Sequence, residues 1–433
     1  MTNQIRKILD KLKISELNEM QKEALSKITN HDNTMVLSPT GSGKTLGFLL
    51  PLLGKLDPDE KRVQALILVP SRELAIQIEQ VFRDMGTGFK VNAVYGGRSI
   101  AKDKIELQHN PAVLIGTPGR IADHFERDQF SKTGIKTLVL DEFDKSLEIG
   151  FENDMNFIIS ELNQLKTRVL TSATNNIEIP KFVGFDISET VNYLKEGNSK
   201  LTVEIVLAKD KNKFKSLLQL INFIGNKPGI IFCNFKDSIG EVSAFLRKHK
   251  IEHGCFYGGM EQKERERALI KFRNGTHQII VATDLAARGL DIPELGFIIH
   301  YELPIKSEEF THRNGRTARV QAEGTAYVLK WEEQRLPDFI EYTEPLNVSD
   351  PKKRVAPYWD TLFISGGRKD KISKGDIAGL FFKTGHLNNN QLGVIELKQD
   401  CAFVAVPKTL SSELIFNLNN TRLKKKKVRI YKL

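Results

Sequence analysis

Short apolar runs rich in β-branched residues alternate with stretches of helical periodicity along most of this chain, and this alternation restricts the fold more than any other feature. A run that is apolar at every position has both faces buried, as happens to a strand in a parallel sheet covered by helices on both sides. Six such runs come first: Thr34–Leu37, Ala65–Val69, Val91–Tyr95, Ala112–Ile115, Thr137–Leu140 and Arg168–Leu170. They predict an α/β domain built on a parallel sheet.

The same alternation restarts after a polar segment, Lys195–Lys200, which we interpret as a linker. The second series of apolar runs is Val203–Leu207, Gly229–Phe232, Gln278–Ala282, Phe297–His300 and Thr325–Leu329. The sequence therefore predicts an α/β fold with two tandem parallel-sheet domains, residues 1–198 and 199–342.

The last part of the chain follows a different pattern. Residues 343–357 contain three prolines and a Lys352-Lys353-Arg354 cluster, which predict a linker. Residues 358–433 predict a small α+β domain of order βαββαβ, with elements at Leu362–Ile364, Lys374–Lys383, Gly393–Leu397, Phe403–Val406, Leu410–Leu418 and Val428–Tyr431. From Pro357 onward there are 14 Lys/Arg and 6 Asp/Glu, an excess of eight positive charges that favours a polyanionic partner.

Composition excludes several classes of protein. The three cysteines, Cys233, Cys255 and Cys401, are too far apart to suggest a disulfide framework or a cysteine zinc site, which fits a reducing cytoplasm. The richest apolar run, Leu46–Leu53, is too short to span a bilayer. Residues Met1–Leu17 show the periodicity of an amphipathic helix and not that of a signal peptide. A cytoplasmic protein without a membrane partner is expected.

A glycine-rich turn follows the first predicted strand, with the sequence Ser38-Pro-Thr40-Gly41-Ser42-Gly43-Lys44-Thr45. Backbone N–H groups of such a turn at a helix N-terminus can cradle phosphate, while the lysine reaches the β- and γ-phosphates and the threonine hydroxyl binds Mg²⁺. The alternative is a structural turn with a chance Gly-Lys-Thr, and the flanking strand and helix argue against it.

Three acidic residues end the strand Thr137–Leu140, in the sequence Asp141-Glu142-Phe143-Asp144. Alone, such a segment would be an ordinary solvated turn. A carboxylate at the end of a parallel strand beside a phosphate loop is instead where a Mg²⁺ ligand belongs. We assign Asp141 to the metal, and Glu142 to the attacking water.

With these motifs in place, the chain from about Gln21 to Leu329 resembles the DEAD-box helicases, whose core is two RecA-like lobes. The resemblance implies RNA-stimulated hydrolysis of ATP. It also implies that three first-lobe motifs grip the nucleic-acid backbone, with Pro70, Arg72, Gly97, Thr117 and Arg120 as the matching residues. Asp144, Ser172, Thr174 and His312 match residues that link hydrolysis to strand separation.

In the second domain, the same resemblance assigns Thr283 to RNA and both Gly289 and Asp291 to the nucleotide. The motif His312–Arg319 resembles the one that supplies arginine fingers, carried over to Arg316 and Arg319. A guanidinium delivered from a second lobe can neutralise the transferring phosphoryl group only on closure, which makes hydrolysis conditional.

The chain departs from the family pattern at three sites. Gln21 matches the glutamine that reads the adenine edge, but Lys13-Ile14 replace the upstream Gly-aromatic pair. Specificity for adenine is therefore supported by Gln21 without the aromatic residue. Phe143 replaces the small third residue of the acidic tetrapeptide, which predicts altered packing near Ser172 or His312. Ala318 replaces a glycine in the arginine motif, with no electrostatic consequence.

The last domain resembles the RNA-binding domain of DbpA-like helicases, on the segments Leu362–Lys371, Lys374–Ile377 and Phe403–Pro407. This resemblance implies an RRM-like fold and a structured ribosomal RNA partner, and hence ribosome assembly on ribosome precursors. Phe403 is the main aromatic residue expected on the middle strands, so charge and shape are expected to dominate binding. Arg368, Lys369 and Lys371 are the candidate RNA contacts, and a merely solubilising basic domain is the alternative.

Three functions remain open on the sequence alone. The leading hypothesis is an ATP-dependent RNA helicase that closes two lobes on RNA and unwinds short duplexes. The second is a nucleotide-gated RNA clamp or assembly factor with little unwinding, and the third is a DNA-directed helicase, since only 2′-hydroxyl contacts separate RNA from DNA.

Overall fold

The computed structural model describes residues 3–39, 41–174, 178–194, 200–284, 295–317, 323–352 and 354–433. The predicted site residues Thr40, Gly289, Asp291 and Arg319 lie outside the described residues. The chain divides into two compact units, and the main boundary between them in the sequence falls between residues 199 and 200. We call the parallel-sheet part of the first unit lobe 1, the parallel-sheet part of the second unit lobe 2, and the remainder of the second unit the C-terminal domain.

Lobe 1 is built on seven parallel strands: β1 (Asn33–Leu37), β2 (Ala65–Leu68), β3 (Val91–Val94), β4 (Val113–Gly116), β5 (Thr137–Leu140), β6 (Thr167–Ser172) and β7 (Glu189–Asn192). They lie side by side in the order β3-β4-β2-β5-β6-β1-β7. Its helices are α1 (Asn3–Leu12), α2 (Glu19–Asn30), α3 (Lys44–Leu53), α4 (Arg72–Met85), α5 (Ile100–Leu107), α6 (Pro118–Glu126), α7 (Phe143–Glu148) and α8 (Glu152–Ser160). Two separate apolar clusters contain side chains of these strands, as expected for a sheet with both faces covered.

Lobe 2 repeats the architecture with six parallel strands: β8 (Lys200–Ala208), β9 (Gly229–Phe232), β10 (His253–Phe256), β11 (Ile279–Ala282), β12 (Phe297–His300) and β13 (Glu323–Trp331). Their order is β10-β11-β9-β12-β13-β8. The described helices are α9 (Phe214–Ile224), α10 (Lys236–Lys248), α11 (Gln262–Arg273) and α12 (Ser307–Asn314). Because all strands are parallel, the loops that follow them meet at one edge of the sheet.

The C-terminal domain is a four-stranded antiparallel sheet with two helices, α13 (Lys374–Lys383) and α14 (Ser411–Leu418). Its strands are β14 (Trp359–Ile364), β15 (Ile395–Leu397), β16 (Ala402–Pro407) and β19 (Ile430–Lys432), in the order β15-β16-β14-β19, while β17 (Arg422–Leu423) and β18 (Lys426–Lys427) form a separate hairpin. The predicted α+β domain is confirmed, and the range predicted for its first helix matches α13.

The C-terminal domain packs against lobe 2 through one face of its sheet. Thr361 on β14 accepts a hydrogen bond from the Asn274 amide at 3.1 Å and lies 2.8 Å from the Thr276 hydroxyl, and all three side chains are buried. Arg273 binds Glu396 through two nitrogens, at 2.7 and 2.9 Å. Residues 343–352 and 354–357 contain no helix or strand.

Two strands of the parallel sheets, and the short strands β17 and β18 of the C-terminal hairpin, were absent from the sequence-based prediction. Strand β7 (Glu189–Asn192) is an edge strand with one fully buried residue, and β10 (His253–Phe256) carries a glycine and a histidine, so neither forms a continuous apolar run. The amphipathic N-terminal segment is confirmed as a helix, but it ends at Leu12. No helix within the described ranges has the length and apolar character needed to cross a membrane.

Candidate nucleotide-binding and RNA-binding sites

The glycine-rich turn joins β1 to helix α3, as predicted. Gly41 and Gly43 have φ angles of 84° and 86°, a left-handed conformation that costs glycine little and other residues more. A Cβ at Gly43 would also collide with the Gln21 amide. The turn therefore brings backbone N–H groups to the N-terminus of a helix, where the helix dipole favours an anion.

Lys44 is the first residue of helix α3, directly after this turn. Its ammonium donates to the carbonyls of Ser38 at 2.5 Å and Pro39 at 3.0 Å, so the side chain folds back over the loop. The buried hydroxyls of Ser38 and Ser42 have no hydrogen-bond partner among the described residues. Buried donors without partners are costly, and a phosphate bound in this turn would satisfy them.

Gln21 is attached to the same turn. Its side-chain oxygen accepts from the backbone N–H of Asn18 at 3.1 Å, and its amide nitrogen donates to the Gly43 carbonyl at 3.1 Å. Asn18 in turn donates to the Ser42 carbonyl at 2.9 Å. The start of helix α2 and the phosphate loop are thus held together, which places Gln21 beside the nucleotide site that the sequence assigned to it.

The acidic segment begins where β5 ends. Asp141 is buried, and it accepts hydrogen bonds from the Thr171 hydroxyl and from the Glu142 N–H at 3.1 Å. Burial raises the pKa of the Asp141 carboxyl, against the opposing effects of the Thr171 hydrogen bond and the positive charge of Lys44. A buried carboxylate close to a lysine and a phosphate loop has the chemistry of a Mg²⁺ site, so Asp141 and Thr45 fit the metal that they were predicted to hold.

Glu142 adopts a left-handed conformation with φ of 48°, which is uncommon for a residue with a side chain. Its N–H also donates to Thr171 at 3.1 Å, so the turn is fixed on both sides. Phe143 is fully buried in the apolar cluster of lobe 1 that includes Leu140 and Leu170. The large side chain at the third position of the acidic tetrapeptide is therefore accommodated in the core and anchors helix α7.

The structure brings the predicted coupling residues of lobe 1 together. The Thr174 hydroxyl donates to Asp144 at 3.3 Å, and the Thr174 N–H donates to the Ser172 hydroxyl at 2.9 Å. His312 belongs to lobe 2 and is buried in helix α12. The acidic segment is thus hydrogen-bonded to the loop after β6.

The predicted RNA residues of lobe 1 lie beyond β2, β3 and β4, which are neighbours in the sheet. Pro70 and Arg72 follow β2, and a Cβ placed on Gly97, after β3, would approach the Arg72 guanidinium to 2.5 Å. Thr117 follows β4, and its N–H donates to the Val94 carbonyl of β3. One half of the sheet edge thus carries the RNA motifs, and the other half carries the phosphate loop and Asp141.

Arg120 is held inside this half of the edge. Its guanidinium binds the buried carboxylate of Asp103 at 2.6 Å and donates to the Arg98 carbonyl at 3.0 Å, while Arg98 binds Asp103 at 2.8 Å. Burial opposes ionisation of Asp103, but hydrogen bonds from His124 and Arg120 and the charge of Arg98 hold the pKa of its carboxyl below the ordinary value. In this arrangement Arg120 ties two motif loops together.

Lobe 2 contains a buried arginine, Arg313, that lies within the His312–Arg319 motif and received no predicted role. Arg313 binds Asp284 through two nitrogens at 2.6 and 2.5 Å, and it donates to Asn234 at 2.7 Å and to the Glu302 carbonyl at 2.8 Å. It therefore joins the loops that follow β9, β11 and β12. The position of Asn234 directly after a parallel strand was the signal available in the sequence.

Other predicted residues of lobe 2 surround this network. Arg316 is buried just beyond helix α12, and Thr283 is half-buried just beyond β11. Arg316, the predicted arginine finger, thus belongs to the same short segment as Arg313 and His312.

The candidate RNA contacts of the C-terminal domain are on its surface. Arg368, Lys369 and Lys371 are exposed on a single turn, beside the hairpin that contains Lys426, whose ammonium binds Asp370 at 2.8 Å. The register also corrects the aromatic content of the middle strands, because Phe363 lies opposite both Phe403 and Tyr431. Phe363 and Tyr431 stack with ring centroids 4.6 Å apart, and Phe403, itself buried, and Trp359 lie on the same face, which is also the face that contacts lobe 2.

Three family models match the chain: the DEAD/DEAH box helicase at residues 18–182, the helicase conserved C-terminal domain at 212–321 and the DbpA RNA binding domain at 361–432. The ATP-dependent RNA helicase DbpA of Bacillus subtilis is 28% identical over 100% of this chain and 98% of its own length. Eukaryotic initiation factor 4A of Caenorhabditis elegans is 31% identical over 71% of this chain and 78% of its own. Among solved structures, S. cerevisiae Dbp5 bound to RNA and ADP BeF3 is similar with a TM-score of 0.70 and 26% identity, covering 77% of this chain and 88% of that one.

Proposed function

Because the chain belongs to the DEAD-box family of ATP-dependent RNA helicases, we propose that it uses ATP hydrolysis to separate short RNA duplexes locally. The observation that carries this proposal is the division of one sheet edge in lobe 1. The phosphate loop and Asp141 occupy one half, and Arg72, Gly97 and Thr117 occupy the other. Hydrogen bonds within the edge can therefore relate the state of the nucleotide to the grip on RNA.

The residues of lobe 1 divide the chemistry among them. Lys44 leaves its two carbonyl partners and binds the β- and γ-phosphates of ATP, and the backbone N–H groups of the turn cradle these phosphates. Thr45 and Asp141 would hold Mg²⁺, which would neutralise phosphate charge when bound. Glu142, fixed by its backbone contacts to Thr171 and Asp141, orients the attacking water.

Lobe 2 completes the reaction. Arg316 and Arg319 supply positive charge to the transferring phosphoryl group when the lobes close, so that hydrolysis depends on closure. Arg313 holds Asn234 and Asp284 in place, and it keeps the loops around the arginine fingers in one arrangement. Hydrolysis then releases the closed state through the contacts among Asp144, Ser172 and Thr174.

We infer that the C-terminal domain delivers this activity to a structured RNA. The exposed cluster of Arg368, Lys369 and Lys371, beside the lysines of the β17–β18 hairpin, provides an electrostatic surface for a folded polyanion. The similarity of this domain to the DbpA RNA binding domain supports structured ribosomal RNA as the target and ribosome precursors as the setting. The three free cysteines support a reducing compartment such as the cytoplasm.

A duplex-melting assay tests the proposal. Short RNA and DNA duplexes of equal stability are incubated with the full chain, with ATP or with a nonhydrolysable analogue, and strand separation is followed by fluorescence. We expect ATP-dependent melting of RNA and little melting of DNA. Binding without melting would instead identify an RNA clamp, and equal melting of both duplexes would remove the preference for RNA.

A further inference from the structure

Three aromatic side chains follow the C-terminal ends of parallel strands in lobe 2. Tyr257 follows β10, Phe235 lies three residues beyond β9, and Trp331 ends β13. In the order β10-β11-β9-β12-β13, each is two strands from the next. At a strand spacing of about 4.8 Å, the three positions are roughly 10 Å apart and span roughly 20 Å of the sheet edge.

Two of these rings are accompanied by lysines. The ammonium of Lys236 lies 5.5 Å from the centre of the Tyr257 ring, and that of Lys211 lies 5.4 Å from the centre of the Trp331 ring. Both lysines are exposed, and no ion pair joins either of them to a carboxylate among the described residues. Positive charge next to an aromatic face is the combination that holds a phosphate while a base stacks.

Phe235 is the most exposed of the three rings, with 62% of its surface accessible. Exposing such a large apolar ring to water is unfavourable. Phe235 precedes helix α10 and makes no side-chain cap, so the start of this helix does not require a phenylalanine here. The backbone beneath the ring is nevertheless fixed, since the N–H of Asn234 donates to Glu302 at 2.6 Å and its side chain binds Arg313. The ring is therefore held outward on a rigid support.

A cleft of about 430 Å³ lies beside Trp331 and reaches Asn234, the residue before Phe235. Asn234 and Ser238, on either side of Phe235 in the sequence, line it together with Trp331, Lys211, Gln334 and Glu241. The amide of Gln334 and the carboxylate of Glu241 can hydrogen-bond to the edge of a base. A carboxylate would repel a phosphate, so this lining suits a base inside the cleft and phosphates outside, near the lysines.

We propose that Tyr257, Phe235 and Trp331 form a base-stacking track for single-stranded RNA, with Lys236 and Lys211 binding its phosphates and the cleft accepting one base. This inference rests on the proposed function, and it adds contacts to bases where the resemblance implies a grip on the backbone. The cleft of this track and the hydrogen-bond network of Arg313 share one residue, Asn234. Stacking accepts every base, so the track strengthens binding without a strict sequence requirement.

The test compares two RNA ligands of equal length on the full chain: a short unstructured oligonucleotide, and the same sugar–phosphate chain with its bases removed. The measured quantity is the RNA concentration that half-saturates ATPase stimulation. We expect loss of the bases to raise it roughly 5- to 100-fold in the parent protein, as one or two stacked bases predict. In Phe235→Ala the penalty for losing the bases should shrink severalfold, because that variant has already lost the stack.

Matched variants separate stacking from other effects. Phe235→Tyr should restore the response to bases, and Phe235→Leu, which keeps the apolar bulk, should not. Phe416→Ala removes a phenylalanine that is 87% exposed on helix α14 and should leave the base dependence unchanged. Lys211→Gln together with Lys236→Gln should lower the slope of log affinity against log salt by roughly 1.4, about 0.7 for each single-strand phosphate contact, whereas Phe235→Ala should not change it.

The outcomes distinguish the track from the proposed function. If no RNA stimulates the ATPase of the parent protein, the proposed function fails. If RNA stimulates it and removal of the bases costs the parent and Phe235→Ala equally, the function stands and the track is rejected. A penalty that is restored by Phe235→Tyr but not by Phe235→Leu supports the track.

Discussion

The two lobes share a fold and differ at one edge. Each has a parallel sheet whose following loops meet at the C-terminal edge of the strands. In lobe 1 that edge carries small, hydroxyl and acidic residues: Ser38, Ser42, Asp141, Thr171 and Ser172. In lobe 2 it carries aromatic and guanidinium groups: Phe235, Tyr257, Arg313 and Trp331.

This difference teaches that the fold provides the position of a site, and that the residues just beyond the strands determine its chemistry. Small residues and carboxylates leave room for phosphates and a divalent cation. Bulky rings and buried arginines cannot surround a metal, but they can grip a polyanion or stabilise developing negative charge. We therefore expect lobe 1 to bind the nucleotide through one half of its edge and RNA through the other, and lobe 2 to add contacts to RNA and to control hydrolysis.

The largest expected effect comes from Lys44→Ala, which removes the point charge assigned to the β- and γ-phosphates. Loss of one such group from a reacting centre lowers turnover on the order of 10²- to 10³-fold, and we expect ATPase to fall at least that far. Lys7→Ala, an exposed lysine on helix α1 of the same lobe, is the control and should have parental activity. The measurement is ATPase turnover at saturating RNA. Near-parental turnover in Lys44→Ala would show that the glycine-rich turn of lobe 1 is not the catalytic phosphate site.

Glu142→Gln should lower hydrolysis on the order of 10²-fold, yet keep ATP affinity, because the backbone contacts that shape the turn do not involve the carboxylate. Since hydrolysis releases the closed state, this variant should dissociate from RNA more slowly in the presence of ATP. Dissociation of labelled RNA and equilibrium ATP binding are the two measurements. A loss of ATP affinity as large as the loss of turnover would show that Glu142 holds the metal or the nucleotide.

Acid should weaken lobe 2 through its buried histidines. Complete burial, with the charge of Arg313, lowers the pKa of His300 to about 3, and burial lowers that of His277 to about 4. Between those values and the ordinary value of 6.5 the unfolded chain binds more protons than the folded one, so the free energy of unfolding falls as pH falls. For His300 alone the loss is about 2 kcal/mol between pH 6.5 and pH 5.

Tryptophan fluorescence can follow this effect, because the only two tryptophans, Trp331 and Trp359, belong to lobe 2 and the C-terminal domain. Urea unfolding at pH 7 and pH 5 should show a smaller pH dependence in His300→Gln than in the parent. Exposed His249→Gln is the control. Equal pH dependence in parent and His300→Gln would show that other groups cause the acid sensitivity.

The sequence predicted the sites of lobe 1 better than those of lobe 2, for a physical reason. Phosphate and Mg²⁺ binding needs fixed residue types at short spacing, so Ser38–Thr45 and Asp141–Asp144 can be recognised without a structure. The network of Arg313 joins residues up to 79 positions apart, Asn234 and Arg313, and only the sheet order brings them together. The same applies to Asp103, whose two arginine partners lie in the loop after β3 and in helix α6.

The smallest expected effect concerns the C-terminal domain, whose charge supplies affinity while the lobes supply chemistry. Lys425 and Lys427 are exposed in the β17–β18 hairpin region, and no ion pair joins either to a carboxylate among the described residues, so they are the cleanest charges to neutralise. If each contacts one phosphate, Lys425→Gln with Lys427→Gln should flatten the plot of log affinity against log salt by roughly 1.5, and turnover at saturating RNA should be unchanged. The exposed pair Lys248→Gln with Lys250→Gln, in lobe 2, is the charge-matched control.

Titrations with a hairpin RNA and an unstructured RNA at several salt concentrations distinguish an RNA-targeting domain from a domain that only increases solubility. A targeting domain predicts a larger loss for the hairpin, because the base-stacking track of lobe 2 still binds the unstructured strand. Identical salt slopes in the parent, the tail variant and the control would show that Lys425 and Lys427 make no phosphate contact, and would assign RNA affinity to other surfaces of the molecule, the edges of the two lobes first among them.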